Sequence, residues 1–249
     1  MDNLDYMFGK PLEIGGMKIK NPTIQDIIDY GEDRYEATVG LFMLKPSDMM
    51  VVLDDNGIDY TKVANYDLFI MLTAETITPD EKSTVRDNLA WLTGVSDFSM
   101  VYDKINDMLV LRSESTGCVI DRAVYNQIRS YLYKINVRKD EETYNPGNET
   151  TRAFLIKEER RKIKRNQKKK NDYSNLANVI SCVVFGSNGS ITYSNVRELN
   201  IWQLYEGFAR INKIKLYDFN MFGYYSGSIK ASDFKKSLEK IDWTKSAQF

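Results

Sequence analysis

Residues 98–135 read FSMVYDKINDMLVLRSESTGCVIDRAVYNQIRSYLYKI, and this stretch decides the fold class. Phe98–Tyr102, Met108–Leu111 and Cys118–Ile120 are short apolar runs separated by Asp, Asn and Gly, the spacing expected of short strands joined by turns. From Asp121 the spacing changes. Val124, Ile128, Tyr131, Leu132 and Ile135 fall on one side of a 3.6-residue repeat, with Asp121 placed to cap the first turn. Strands followed by an amphipathic helix predict an α+β protein rather than an all-helical bundle.

Toward the N-terminus, Leu12 and Ile14, then Gly15-Gly16, then Met17 and Ile19 give two alternating runs about a Gly-Gly pair. That pattern predicts a β-hairpin. Thr23-Ile-Gln-Asp26 has the form of a capping box with Asp in the acidic role, opening a helix that Gly31 bends or divides. Further short helices are expected from Asp48 to about Asp55, over Tyr66–Ala74 and over Pro79–Leu92. Beyond Ile135 the segment 136–148, NVRKDEETYNPGN, is polar, and Pro146-Gly147 makes it the best boundary in the chain. Past this boundary the chain reads as helical. Leu176, Val179, Ile180, Val183 and Val184 lie at i, i+3, i+4, i+7 and i+8, and a long helical pattern runs from Asn200 through Ile201, Leu204, Phe208, Ile211 and Ile214. Ser232-Asp233 opens a last short helix before Trp243. The expected architecture is therefore α+β and predominantly helical: a mixed region over 1–140 with small β-hairpin elements, and a helical region over 149–249.

Composition narrows the function. The chain has 249 residues and no histidine, which removes the usual general base and the commonest metal ligand. Only two cysteines, Cys118 and Cys182, are present, too few for a thiolate or imidazole zinc site; both sit in apolar segments and are expected to be buried free thiols. Asp54-Asp55-Asn56-Gly57 lacks the ligand alternation of a calcium loop and reads as a helix-ending turn. No cofactor and no enzymatic activity are expected. The opening residues lack the apolar core of a secretory signal, and the apolar runs are far shorter than the ~20 residues of a membrane span, so the cytosol is the expected place.

Charge is segregated. Residues 1–150 carry 15 Lys/Arg against 26 Asp/Glu, net −11, and residues 151–249 carry 19 against 9, net +10. The positive excess centres on residues 157–170, KEERRKIKRNQKKK, nine basic residues against two glutamates, net +7. The candidate partner-binding cations are Arg160, Arg161, Lys164, Lys168, Lys169 and Lys170. Three readings compete: a solvated helical arm, docking onto an acidic protein surface such as the chain's own first half, and phosphate-backbone binding. The last is the weakest, because single-strand binders interleave aromatic residues for base stacking and this run has none.

A second candidate surface is the aromatic string YDFNMFGYY, residues 217–225, with Tyr217, Phe219, Phe222, Tyr224 and Tyr225. Packing against the C-terminal core is the bland reading. A partly exposed recognition patch is the functional one, since interface cores are enriched in such residues. Ten methionines, several in helical segments, would suit adaptable binding grooves.

The strings GNETTRAFLIKEERRKIKRN (147–166), LANVISCVVFGS (176–187), NIWQLYEGFARINKIKLYDFNMFGYYSGSI (200–229) and the terminal IDW (241–243) resemble a family encoded in the tail-gene clusters of tailed phages of low-GC Gram-positive bacteria. IKNPTIQDIIDYGEDRYEA (19–37) and NGIDYTKVANYDLFIML (56–72) are similar to its opening, so the resemblance covers most of the chain. Members are usually labelled tail assembly chaperones. The resemblance implies a non-enzymatic factor that keeps the phage tape-measure protein soluble and recruits tail-tube protein in the cytoplasm of the infected bacterium. It supplies no site residues. Self-association is compatible with this reading, whereas membrane and nucleic-acid partners are not expected. The rival readings are a structural virion subunit at a neck or baseplate, and a nucleic-acid-binding regulator acting through residues 157–170.

Overall fold

The computed structural model describes residues 3–74, 84–141, 146–166 and 175–230, together with Phe234, Asp242 and Thr244. The expected α+β class holds. Ten α-helices and two small antiparallel sheets are present among the described residues. After a short helix α1 (Asn3–Met7), the hairpin pairs β1 (Leu12–Ile14) with β2 (Met17–Ile19). Gly15 and Gly16 take φ of +56° and +79°. Two successive left-handed residues make the turn whose twist matches the strands, and only glycine takes both without strain. The capping box is complete: the Thr23 hydroxyl accepts from the Asp26 amide, and the Asp26 carboxylate accepts from the Thr23 amide. It opens α2 (Ile24–Tyr30), which Gly31, at φ +101°, divides from α3 (Glu32–Met43).

Next along the chain come α4 (Met50–Asp55), a 3-10 turn at Tyr60–Lys62, α5 (Asn65–Ala74) and α6 (Thr84–Thr93). The expected helix start at Pro79 lies outside the described residues, as do the helix opened by Ser232-Asp233 and Trp243. The second sheet has the order β3 (Phe98–Asp103), β4 (Met108–Ser113), β5 (Val119–Ile120). It leads into α7 (Arg122–Ile135), where Asp121 caps the Val124 amide at 2.8 Å as its position predicts.

One apolar core runs through these elements, and α3 packs along α7 at its centre. Phe42, Phe69, Tyr66 and Tyr125 form its aromatic heart: the Phe69 ring lies 5.0 Å from both Phe42 and Tyr125, and Tyr66 meets Tyr125 edge-on at 5.5 Å. The same core takes in Leu176, Val179 and Val183 of α9 (Asn175–Gly186), and Ile201 and Leu204 of α10 (Ile201–Tyr225). It is thus continuous across the polar segment 136–148. A backbone bridge between Thr23 and Asn200 joins the N-caps of α2 and α10, with the Ile24 amide donating to Leu199 and the Ile201 amide to Pro22. A separate small core of Leu53, Tyr60, Leu68 and Ile156 joins α4, the 3-10 turn and α5 to α8 (Glu149–Asn166). Of the two cysteines, Cys118 is buried as expected, but Cys182 is exposed, because it lies off the stripe that α9 turns to the core.

Candidate functional site

The candidate surface is built on α10. Asn200 caps its first turn in a full capping box with Gln203, and the Asn200 side-chain amide also donates to the Met7 carbonyl at 3.1 Å, tying α1 to the helix. Ile201 and Leu204 are completely buried, and Phe208 and Ile211 pack against the core. Helix α9 lies beside this first half and ends at Gly186. A Cβ there would stand 2.7 Å from Ile211 Cγ2, so the approach requires glycine.

Beyond Ile211 the helix continues to Tyr225, another 14 residues (212–225), or about 21 Å. Phe222 lies 11 residues after Ile211, three turns on and the same side of the helix, with Ile214, Phe219 and Tyr225 flanking it. The stripe that enters the core over the first half therefore runs past its partner and into solvent. Phe219, Phe222 and Tyr225 are 71%, 73% and 77% exposed. At 150–250 Å² for each ring, these three alone leave on the order of 400 Å² uncovered. That lies within the range of the largest apolar patch on a typical monomer, a patch that is often functional.

The other flank of the same half is covered. Gly227, at φ +75°, closes the helix in a Schellman motif: its amide donates to Tyr224, and the Ser228 amide donates to Gly223 at 2.9 Å. The chain then folds back. Ile229 lies over Gly223, where a Cβ would be 2.6 Å from its Cδ1, and Phe234 stacks on Tyr224 at 4.6 Å. Of the five aromatic residues singled out in the sequence, Phe219, Phe222 and Tyr225 thus stand most exposed, Tyr224 is half-covered by Phe234, and Tyr217 is half-buried.

The basic run behaves differently. Its described part is the second half of α8, and Lys168, Lys169 and Lys170 lie outside the described residues. Arg160 turns inward and donates to Asp54 at 2.8 Å and Asp55 at 2.6 Å, both on α4. Arg152 pairs with Asp59. Between these two arginines, Ile156 enters the small core, while Phe154 is 59% exposed. The Arg160 hydrogen bond holds the Asp55 carboxyl below the usual aspartate range against a smaller desolvation effect, and the two aspartates raise the Arg160 guanidinium in return. Asp59 is likewise held low, first by the Thr61 hydroxyl and then by other contacts that include Arg152. Arg161 pairs with Glu158 within the helix, whereas Lys164 and Arg165 are exposed. Asp54 and Asp55, read from the sequence as a turn, are therefore the acids that receive the arm. The signal was the i, i+4, i+8 spacing of Arg152, Ile156 and Arg160, which presents one apolar residue between two cations on a single helix face.

A 760 Å³ cleft opens between α1, α7 and α10, beside Tyr6, Trp202 and the loop 137–141. Three of its cations already have partners: Arg210 pairs with Glu206, Arg138 reaches Glu36 at 3.5 Å, and Lys134 sits over the Tyr6 ring. Among the described residues, no helix is long and apolar enough to cross a membrane.

Residues 166–248 match the family model described as YomV second domain. The YomV name is phage-associated. The match begins at the last residue of α8 and spans α9 and α10, the helix pair that carries the uncovered aromatic stripe. No curated protein and no solved structure matches the chain.

Proposed function

We propose that this protein is a non-enzymatic phage tail assembly chaperone that covers apolar helical surface on the tape-measure protein, and engages tail-tube protein, in the infected cell. The observation that carries the reading is the second half of α10, whose core-facing stripe continues into solvent as Ile214, Phe219, Phe222 and Tyr225. A client helix laid along it would do for this half what α9 does for the first, burying apolar rings in the helix-in-groove mode. The phage-associated family match to residues 166–248, which include α10, supports the same reading.

Co-expression with the tape-measure protein of the same phage tests it. The expected result is a co-purifying complex and a larger soluble fraction of the tape measure. Loss of both with Phe219→Ser, Phe222→Ser and Tyr225→Ser combined would place the contact on α10. Failure of the unaltered protein to bind or solubilise the tape measure would overturn the reading. Stoichiometric presence in purified virions, found by mass spectrometry, would assign the protein to the particle instead.

A further inference from the structure

Helix α8 has 18 described residues, and Ile156 alone among them is buried. Its seat is an apolar socket of Leu53, Tyr60 and Leu68, with Met49 and Met50 packed alongside, rimmed by Asp54, Asp55 and Asp59. The fit is incomplete in two respects. A 340 Å³ groove open to solvent, lined by Asp54 of α4 and by Arg152, Ile156 and Arg160 among others on α8, runs along the contact. The Tyr60 hydroxyl, in a residue only 3% exposed, has no hydrogen-bond partner among the described residues. A native contact selected only for stability does not commonly leave a buried hydroxyl unpaired. The remaining attachment is ionic and exposed to solvent, so added salt weakens it.

We propose that the socket formed by α4 and the Tyr60 turn is a receptor for a partner helix carrying a basic, an aliphatic and a basic residue at i, i+4 and i+8, and that α8 is its displaceable internal occupant. The acidic rim selects cations on either side of the aliphatic residue, the methionines accommodate different aliphatic shapes, and a partner offering a polar atom to Tyr60 would complete what α8 leaves unmade. Binding in trans then requires the arm to leave, so the apparent affinity of a partner is reduced by the fraction of time the socket is closed. This surface is separate from the α10 stripe, and its existence does not depend on the identity of the α10 client.

The test uses the full chain and, as probe, a fluorescent peptide of residues 149–166 followed by anisotropy. Ile156→Asp should evict the arm, and the peptide should then bind about tenfold tighter than to the unaltered protein, the factor for a socket closed about nine-tenths of the time. Raising salt from ~0.1 M to ~1 M, which shortens the Debye length from about 10 Å to about 3 Å, should weaken that binding. A peptide with glutamate at both arginine positions should not bind. Because Ile156→Asp could unfold the small core, Arg152→Glu with Arg160→Glu provides a second eviction that leaves the apolar contact intact, and it should also raise peptide affinity. Equal peptide binding by the unaltered and evicted proteins, or no binding by either evicted protein while its main unfolding transition is retained, would overturn the proposal. Tape-measure binding through α10 would be unaffected by either result.

Discussion

Arg129 shows how much one residue can organise. Its side chain is 4% exposed, yet its guanidinium is fully engaged: it donates to both Asp140 oxygens at 3.1 and 2.8 Å, to the Phe42 carbonyl at 2.8 Å and to the Tyr133 hydroxyl at 3.1 Å. It thereby closes the C-terminal end of α3 against α7. Arg129→Met would fill the volume but leave the Phe42 carbonyl to Tyr125 and Asp140 to Lys45 alone, and it is expected to cost about 2–4 kcal/mol in urea unfolding. Val137 is a second critical position. It stands at the C′ site of α7 in a full Schellman motif, its amide donating to Lys134 and the Arg138 amide to Tyr133, with φ +52°. Glycine or asparagine is the usual occupant, since a β-branched residue is strained in this region. Val137→Asn keeps the geometry and is expected to raise stability by about 1 kcal/mol, readable as a higher urea midpoint with an unchanged slope. Asp97 supplies the clearest pH dependence. Hydrogen bonds from the Ser113 hydroxyl and the Ser115 amide hold its carboxyl down to about 2, against an ordinary value of 3.8. The stabilisation is therefore fully present above the ordinary value and is lost as pH falls through it toward about 2. Asp97→Asn should flatten that part of the stability-versus-pH profile relative to the unaltered protein, while leaving the neutral to alkaline part parallel.

At the scale of elements, local signals were largely legible. The Gly-Gly hairpin, the Thr23 box, the Asp121 cap and the sheet from Phe98 to Ile120 occur where short-range stereochemistry put them. Such features are fixed by a few adjacent residues. Which side of a helix is covered was less legible: Ile28 shares the spacing of Ile24 and Ile27 yet is 51% exposed, because a stripe drawn from spacing is wider than the neighbour that covers it. The buried cap at Asn200 combines a helix start with a long-range tie to Met7, and Asn200→Ala should cost about 1–2 kcal/mol and loosen α1, seen as faster amide exchange over residues 4–8. For the second half of α10 the expectation is the opposite. Replacing Phe219, Phe222 and Tyr225 by Ser together should change the urea midpoint little, since exposed rings contribute little to the fold, while abolishing client binding.

At the scale of the whole molecule, the opposite charges of the two parts of the chain meet in part at α4 and α8. The −11 of residues 1–150 and the +10 of residues 151–249 find contact through Arg160 with Asp54 and Asp55, and through Arg152 with Asp59. Ile156 adds about 1.5–3 kcal/mol of apolar burial to an otherwise ionic seat. In hydrogen exchange, α8 should therefore open faster as salt rises, while α3 and α7, held by the aromatic core, should not respond. Equal salt sensitivity in α8 and α7 would show that the arm is not held by charge.

The sequence alone determined the α+β class, the hairpin, the helix starts and the separation of charge, because each depends on neighbouring residues or on composition. Tertiary structure alone decided which acids receive Arg160, that one apolar core crosses the polar segment at 136–148, and that α9 ends at Gly186, beside Ile211, while α10 goes on. The last of these matters most. Whether an apolar stripe is core or docking surface depends on the length of the neighbour that covers it, a relation between two helices rather than a property of either.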